Sequence, residues 1–187
     1  EDTNAVIRWI FAHAGEYPFD LDNIFLVGDS AGANTAALYG ALCTNPAFAR
    51  QFSIQPPAGF VPRAVALNCG VYDAARAVEN SRRLFGGLLK DYLGRRPTSA
   101  DLERINACSA VSATFPPTFL MTAEYDMVNY QAPLLLEKLE AQGVPHEYHV
   151  YGAGKKEVGH VFHCNMRLPE ATQCNDDTCA FFRKAAV

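Results

Sequence analysis

Apolar positions along the chain fall into two spacings that alternate with each other. Val6, Ile7, Ile10 and Phe11 recur at intervals of three and four, which predicts an amphipathic helix over Asn4 to Ala14. Ile24 to Val27 (IFLV) is a short continuous apolar run and predicts a strand. The alanine- and leucine-rich stretch from Ala31 to Cys43 follows it and favours a helix. Arg63 to Asn68 (RAVALN) reads as a second strand, Thr118 to Ala123 (TFLMTA) as a third and Glu147 to Tyr151 (EYHVY) as a fourth. Gln131 to Gln142 reads as a helix closed by Gly143, and Asn175 as the cap of a final helix through Lys184. Between Tyr72 and Ala113 the pattern is helical but irregular, broken at Gly86-Gly87 and restarted at Thr98/Ser99. Strands alternating with helices imply parallel βαβ units, hence a single layered α/β domain over residues 1–187 with a possible lid around 72–113.

Composition narrows the function classes. With 49% hydrophobic and 19% charged residues the chain is ordinary for a globular domain. Its formal charge of -4, without a Lys/Arg-rich tract, gives no attraction for phosphate backbones, so no nucleic acid is expected as partner. No apolar run reaches the length that spans a bilayer, and the first residues lack the basic start and cleavage site of a signal peptide. The six cysteines (43, 69, 108, 164, 174, 179) include no CxxC pair, which argues against a zinc module. Cys43 and Cys69 lie in apolar segments and read as buried thiols. Cys174 and Cys179 are close enough in sequence to pair, but they lie near a predicted helix whose geometry keeps them apart. A reduced, cytoplasmic protein is the expectation.

The candidate chemistry begins where the first strand ends. In FLVGDSAGA, Ser30 sits between Gly28 and Gly32 directly between a strand and a helix. A G-x-S-x-G turn there holds a serine hydroxyl on a strained corner, with the next backbone N–H, that of Ala31, pointing into the same space. Gly28, Asp29 and Gly32 make up the rest of the elbow. A serine at this place also serves simply as a helix N-cap, so the reading needs a base and an acid in support. Functional groups of parallel sheets gather at the carboxyl ends of strands. There the third strand is followed by Glu124 and Asp126, and the fourth by His160 and His163. The order Ser, acid, His suits a nucleophile, an orienting carboxylate and a general base. Asp126 is preferred to Glu124 because it lies further into the loop. His160 and His163, with Glu157, also have the residue types of metal ligands, but HxxH without a third placed ligand is weak, and no metal or cofactor is expected.

The segments FLVGDSAGA, PPTFLMTAEYDMV and GHVFH resemble the hormone-sensitive-lipase-like carboxylesterases among the α/β-hydrolases. That resemblance implies an α/β-hydrolase fold with a mostly parallel sheet, Ser30 as nucleophile, Asp126 as acid, His160 as base and the Ala31 N–H as one oxyanion-hole donor. It implies a small-molecule ester of short acyl chain as substrate. The family also carries an HGG-type glycine motif well before the nucleophile, which these 29 preceding residues lack. The chain therefore reads as the C-terminal part of such a hydrolase, with the N-terminal strands of the sheet missing.

The leading expectation is a serine carboxylesterase working through an acyl-enzyme. A peptidase of the prolyl-oligopeptidase type and a non-catalytic binding protein on a hydrolase scaffold are the alternatives.

Overall fold

The computed structural model describes all 187 residues. Four strands form one parallel sheet in sequential order: β1 (Phe25–Asp29), β2 (Ala64–Asn68), β3 (Thr118–Ala123) and β4 (His146–Tyr151). The register pairs Val27 with Ala66, Leu67 with Leu120 and Met121 with His149. Nine helices surround it: α1 (Asp2–Ala12), α2 (Ala31–Thr44), α3 (Pro46–Ala49), α4 (Ala74–Asn80), α5 (Phe85–Leu93), α6 (Ser99–Arg104), α7 (Ala107–Ala110), α8 (Gln131–Ala141) and α9 (Pro169–Ala185).

A sheet that adds parallel strands in one direction by right-handed crossovers must place those crossovers on one face. That is seen here. Val65, Leu67 and Leu120 pack with residues of α2, α7 and α8 in one core. Their neighbours along the strands, Ala64, Ala66, Phe119 and Met121, face the other way and pack on α9 through Ala171, Cys174 and Phe181. This two-residue alternation, apolar on both faces, is why β2 and β3 read as continuous apolar runs. No helix is long and apolar enough to cross a membrane.

Three expectations change. Gly86-Gly87 does not interrupt a helix but lies in the first turn of α5, where its poor propensity costs little because the helix continues through Leu88 to Leu93. The final helix begins at Pro169, not Asn175. Proline suits the first helical position, the buried stripe Ala171, Cys174, Thr178 and Phe181 runs straight through, and the Asn175 side chain instead donates to the carbonyl of His163 at 3.0 Å. Lastly, Cys43, read as a buried thiol, is only partly buried, while all six cysteines are free as expected. Cys174 and Cys179 share α9, with the first buried and the second exposed. The Thr98 start signal is present as a reciprocal cap with Asp101.

Candidate active site

Every element of the site lies at the carboxyl end of a strand. β1 runs without a loop into α2, and the corner between them is Ser30, with φ 52° and ψ -116°. A non-glycine residue with positive φ pays a steric cost. Three such residues occur in the chain, Ser30, Cys69 and Val161, and they follow β1, β2 and His160 respectively. Strain is thus concentrated around one spot, as at sites whose surroundings over-determine the backbone. The two elbow glycines differ in kind. A Cβ on Gly28 would overlap the carbonyl of Gly32, so only glycine fits, whereas a Cβ on Gly32 would meet open space. The steric demand for glycine in the elbow is therefore confined to Gly28.

The Ser30 N–H extends the β1–β2 ladder by donating to the carbonyl of Asn68 at 2.9 Å. The Ala31 N–H belongs to the first turn of α2, where amides have no partner within the helix. Asp29 is exposed, and its charge adds to the field that favours protonated His160.

Ser30, His160 and Asp126 are brought into one hydrogen-bonded chain. His160 Nε2 is 2.9 Å from Ser30 Oγ, and His160 Nδ1 is 2.7 Å from Asp126 Oδ1. An ionised carboxylate only accepts, which assigns the ring proton to Nδ1 and leaves Nε2 free to accept from the serine hydroxyl. Asp126 is buried, and burial by itself would raise its pKa. The bond from His160 and the backbone N–H of Val128 at 3.0 Å outweigh that and hold the carboxyl below its usual range. Thr122 Oγ1 donates to the other oxygen, Oδ2, at 3.0 Å. His160 in turn is raised above an ordinary imidazole, first by its bond to Asp126.

The alternatives named from sequence go elsewhere. Glu124 accepts from the Gly154 N–H at 2.9 Å and so ties down the loop that carries His160. His163 is buried, its Nδ1 has no partner, and burial lowers its pKa. Its Nε2 lies 3.6 Å from Cys164 Sγ, and neither His163 nor Glu157 joins His160 in a cluster of metal-ligating atoms. Two residues of the site were missed in the sequence. Thr122 is the second of two threonines in a mostly apolar strand, four residues before Asp126. Asn34 is a polar residue one turn into an alanine-rich helix, and its amide donates to the carbonyls of Val71 at 2.8 Å and Ile105 at 3.0 Å. It fastens the β2–β3 connection to the helix that starts at the nucleophile.

An apolar trough of about 580 Å³ opens from Ser30. One wall is a stripe of α2, Asn34, Leu38 and Leu42, which at 1.5 Å per residue leads about 18 Å from the nucleophile. The opposite wall is α5, with Leu88 and Tyr92 exposed along it.

A strained serine on a strand–helix corner, bonded through histidine to a buried aspartate, has the parts that nucleophilic attack needs: a hydroxyl, a base within reach and a carboxylate that orients the base. The model of the alpha/beta hydrolase fold family matches residues 1–164, and the chain belongs to that family. Among curated proteins it is 32% identical over 164 aligned residues to an acetyl esterase of Salmonella typhi, covering 81% of this chain and 47% of that protein. An acetyl esterase of Salmonella schwarzengrund is 31% identical over 166 residues. The chain spans about half the length of the curated relatives it matches. Among solved structures, esterase B from Lactobacillus rhamnosis superposes with a TM-score of 0.85 at 24% identity over 98% of this chain and 60% of that one. An esterase from Pyrobaculum calidifontis gives 0.71 at 22% identity, covering 100% and 61%. At these identities the structures speak for the fold.

Proposed function

We propose that the protein is a serine carboxylesterase that hydrolyses short-acyl esters through an acyl-enzyme. The single observation that carries this reading is the unbroken Asp126–His160–Ser30 chain ending at a strained elbow that faces an apolar trough. The acetyl esterase relatives supply the substrate class. Ser30 attacks the ester carbonyl while His160 Nε2 takes its proton. The imidazolium so formed is stabilised by Asp126 and then protonates the departing alkoxide. The Ala31 N–H receives part of the negative charge that develops on the carbonyl oxygen. Water, deprotonated by the same imidazole, releases the acid and restores Ser30.

The trough is far larger than an acetyl group, since sites enclosing drug-sized molecules run about 300–1,000 Å³. We assign it to the apolar alcohol portion of the ester. Hexyl acetate should then exceed ethyl acetate in kcat/KM by about tenfold, because burying even half of four methylenes at about 0.8 kcal/mol each gives that factor. The test uses the full-length protein with a fluorophosphonate probe, an aryl acetate and a dipeptide anilide. Labelling at Ser30 with hydrolysis of the acetate alone supports the reading. Cleavage of the anilide instead would make it a peptidase, and absence of labelling would make it a binding protein.

A further inference from the structure

β2 ends at Asn68, and the next residue, Cys69, turns into the left-handed region with φ 48°. That conformation is costly for a residue with a Cβ. It delivers a buried thiol beside the acid and base described above. Cys69 Sγ, an Asp126 carboxylate oxygen and a His160 ring nitrogen all lie within 4.8 Å of one another, and no other trio of metal-ligating side chains in the chain converges in this way. Besides Asp126 and the Val161 backbone, the thiol's hydrogen-bonding contact is the Met121 thioether at 3.9 Å. It is a weak partner and does not compete for the sulfur.

Thiolate, imidazole and carboxylate are the donors that tetrahedral Zn²⁺ takes, at about 2.0–2.3 Å each. Around such an ion, donor atoms stand about 3.3–3.8 Å apart, by tetrahedral geometry from those bond lengths. To reach that spacing the thiol moves in by up to about 1 Å, while Asp126 and His160, 2.7 Å apart, open as the ion replaces their hydrogen bond. His160 is partly exposed while Cys69 and Asp126 are buried behind it, so an ion enters past the imidazole.

We propose that Cys69, Asp126 and His160 form an inhibitory site for Zn²⁺ and ions of like softness, with a water from the cleft as fourth ligand. The site makes the enzyme sensitive to the metal and plays no part in its turnover. This departs from the sequence-based expectation of no metal, in regulation and not as a cofactor. The proton accounting explains why binding stops the reaction. In the resting site the ring proton is on Nδ1. When Nδ1 coordinates the ion, that proton moves to Nε2 and points at Ser30, which then faces a donor and has no base. The Cys69 S–H proton leaves to solvent and the carboxylate is already ionised, so one proton is released per ion bound.

The experiment uses the full-length protein stripped with EDTA. ZnCl₂ is titrated into an aryl acetate assay of the parent and of Cys69→Ser. In parallel, Co²⁺ is added to Ser30→Ala and to the Ser30→Ala/Cys69→Ser double variant, and the near-ultraviolet thiolate-to-cobalt charge-transfer band is recorded. The expected result is inhibition reversed by EDTA and weakened at least about 10- to 100-fold in Cys69→Ser, since losing even a group that only supports a ligand costs that much. A charge-transfer band is expected in Ser30→Ala and none in the double variant. Equal zinc inhibition of the parent and Cys69→Ser, or no cobalt–thiolate band in Ser30→Ala, overturns the proposal. The cobalt readout needs no turnover. It therefore decides the metal site even if the chain proves not to be an esterase.

Discussion

The proposed nucleophile and its proposed acid stand on opposite kinds of ground. Asp126 follows β3, every residue of which is buried, and it is fixed by Thr122, Val128 and His160 together. Ser30 follows β1, which is paired on one side only and has a single buried residue, Gly28. Val27 is 60% exposed, while Val65 on β2, next to Val27's register partner Ala66, is wholly buried. Asp126 is thus positioned by depth of burial, and the serine by covalent geometry: the Gly28 approach to Gly32, the positive φ and the helix that begins at once. A site assembled in this way should lose chemistry when either half is altered, but should lose stability in very different amounts.

The largest expected effect falls on the serine. Ser30→Ala should lower ester hydrolysis by about 10⁴- to 10⁶-fold and abolish fluorophosphonate labelling, as for other members of such triads. Circular dichroism and thermal unfolding should be unchanged, because the side chain's only hydrogen bond is to His160. A rate within about tenfold of the parent would remove Ser30 from the mechanism.

On the deeply buried side, Asp126→Asn should cost about 10³- to 10⁴-fold, since an amide in that place favours the wrong imidazole tautomer. It should also move the pH profile. With Asp126 present, His160 is raised above 6.5, and the reaction needs it neutral, so kcat/KM should fall as pH drops through a pKa above 6.5. Removing the carboxylate removes the main cause of the rise, and the acidic limb should shift to lower pH. A limb that stays in place would mean that another group sets it. His163→Ala should leave the limb where it is, because His163 bonds to neither Ser30 nor Asp126.

How much of this was legible follows the same division. β3 runs from Thr118 to Ala123, as its apolar run predicts, because a strand buried on both faces leaves an unmixed signal. Ser30, Asp126 and His160 were chosen from residue type and chain order, and the structure sets them within hydrogen-bond distance. Thr122 and Asn34 were passed over because their roles are contacts to groups four to seventy-one residues away, and no local pattern encodes those. Cys69 read only as a buried thiol. Its neighbours come from β3 and from the loop after β4, which meet only in the folded sheet. The misplaced start of α9 has a local cause. Asn175 is a good cap by residue type, but Pro169 and the apolar stripe beyond it outweigh that preference.

A stability comparison within the elbow is the third test. Gly28→Ala should destabilise by about 2–4 kcal/mol, because the added carbon meets backbone, which cannot rotate away. Gly32→Ala should be neutral to stabilising by at most about 1 kcal/mol, since it adds a better helix former in open space. Equal losses would show that the two glycines share one steric role. Thermal melts of the folded variants, free of any activity measurement, separate the outcomes.

The smallest expected effect on folding, and the one that most sharpens the contrast, lies on β1 itself. The outer edge of this strand carries N–H and C=O groups without partners in the 187-residue chain, beside apolar side chains and with no lysine or proline within IFLV. An edge of that kind templates pairing with another copy, so these residues expressed alone should sediment as polydisperse assemblies. Val27→Lys puts a charge on the exposed position at little cost, because surface substitutions of this sort stay within about 0.5 kcal/mol. It should reduce the assembled fraction severalfold with no drop in melting temperature. The matched change Val65→Lys buries the same ammonium without a partner and should unfold the chain. Sedimentation velocity of the three proteins at equal concentration reads the difference. If the unmodified chain is monodisperse, or if Val27→Lys leaves its assembly unchanged, the bare edge is not what drives association. Exposed aromatics on and after α1, Trp9, Tyr17 and Phe19, would be the next place to put the charge.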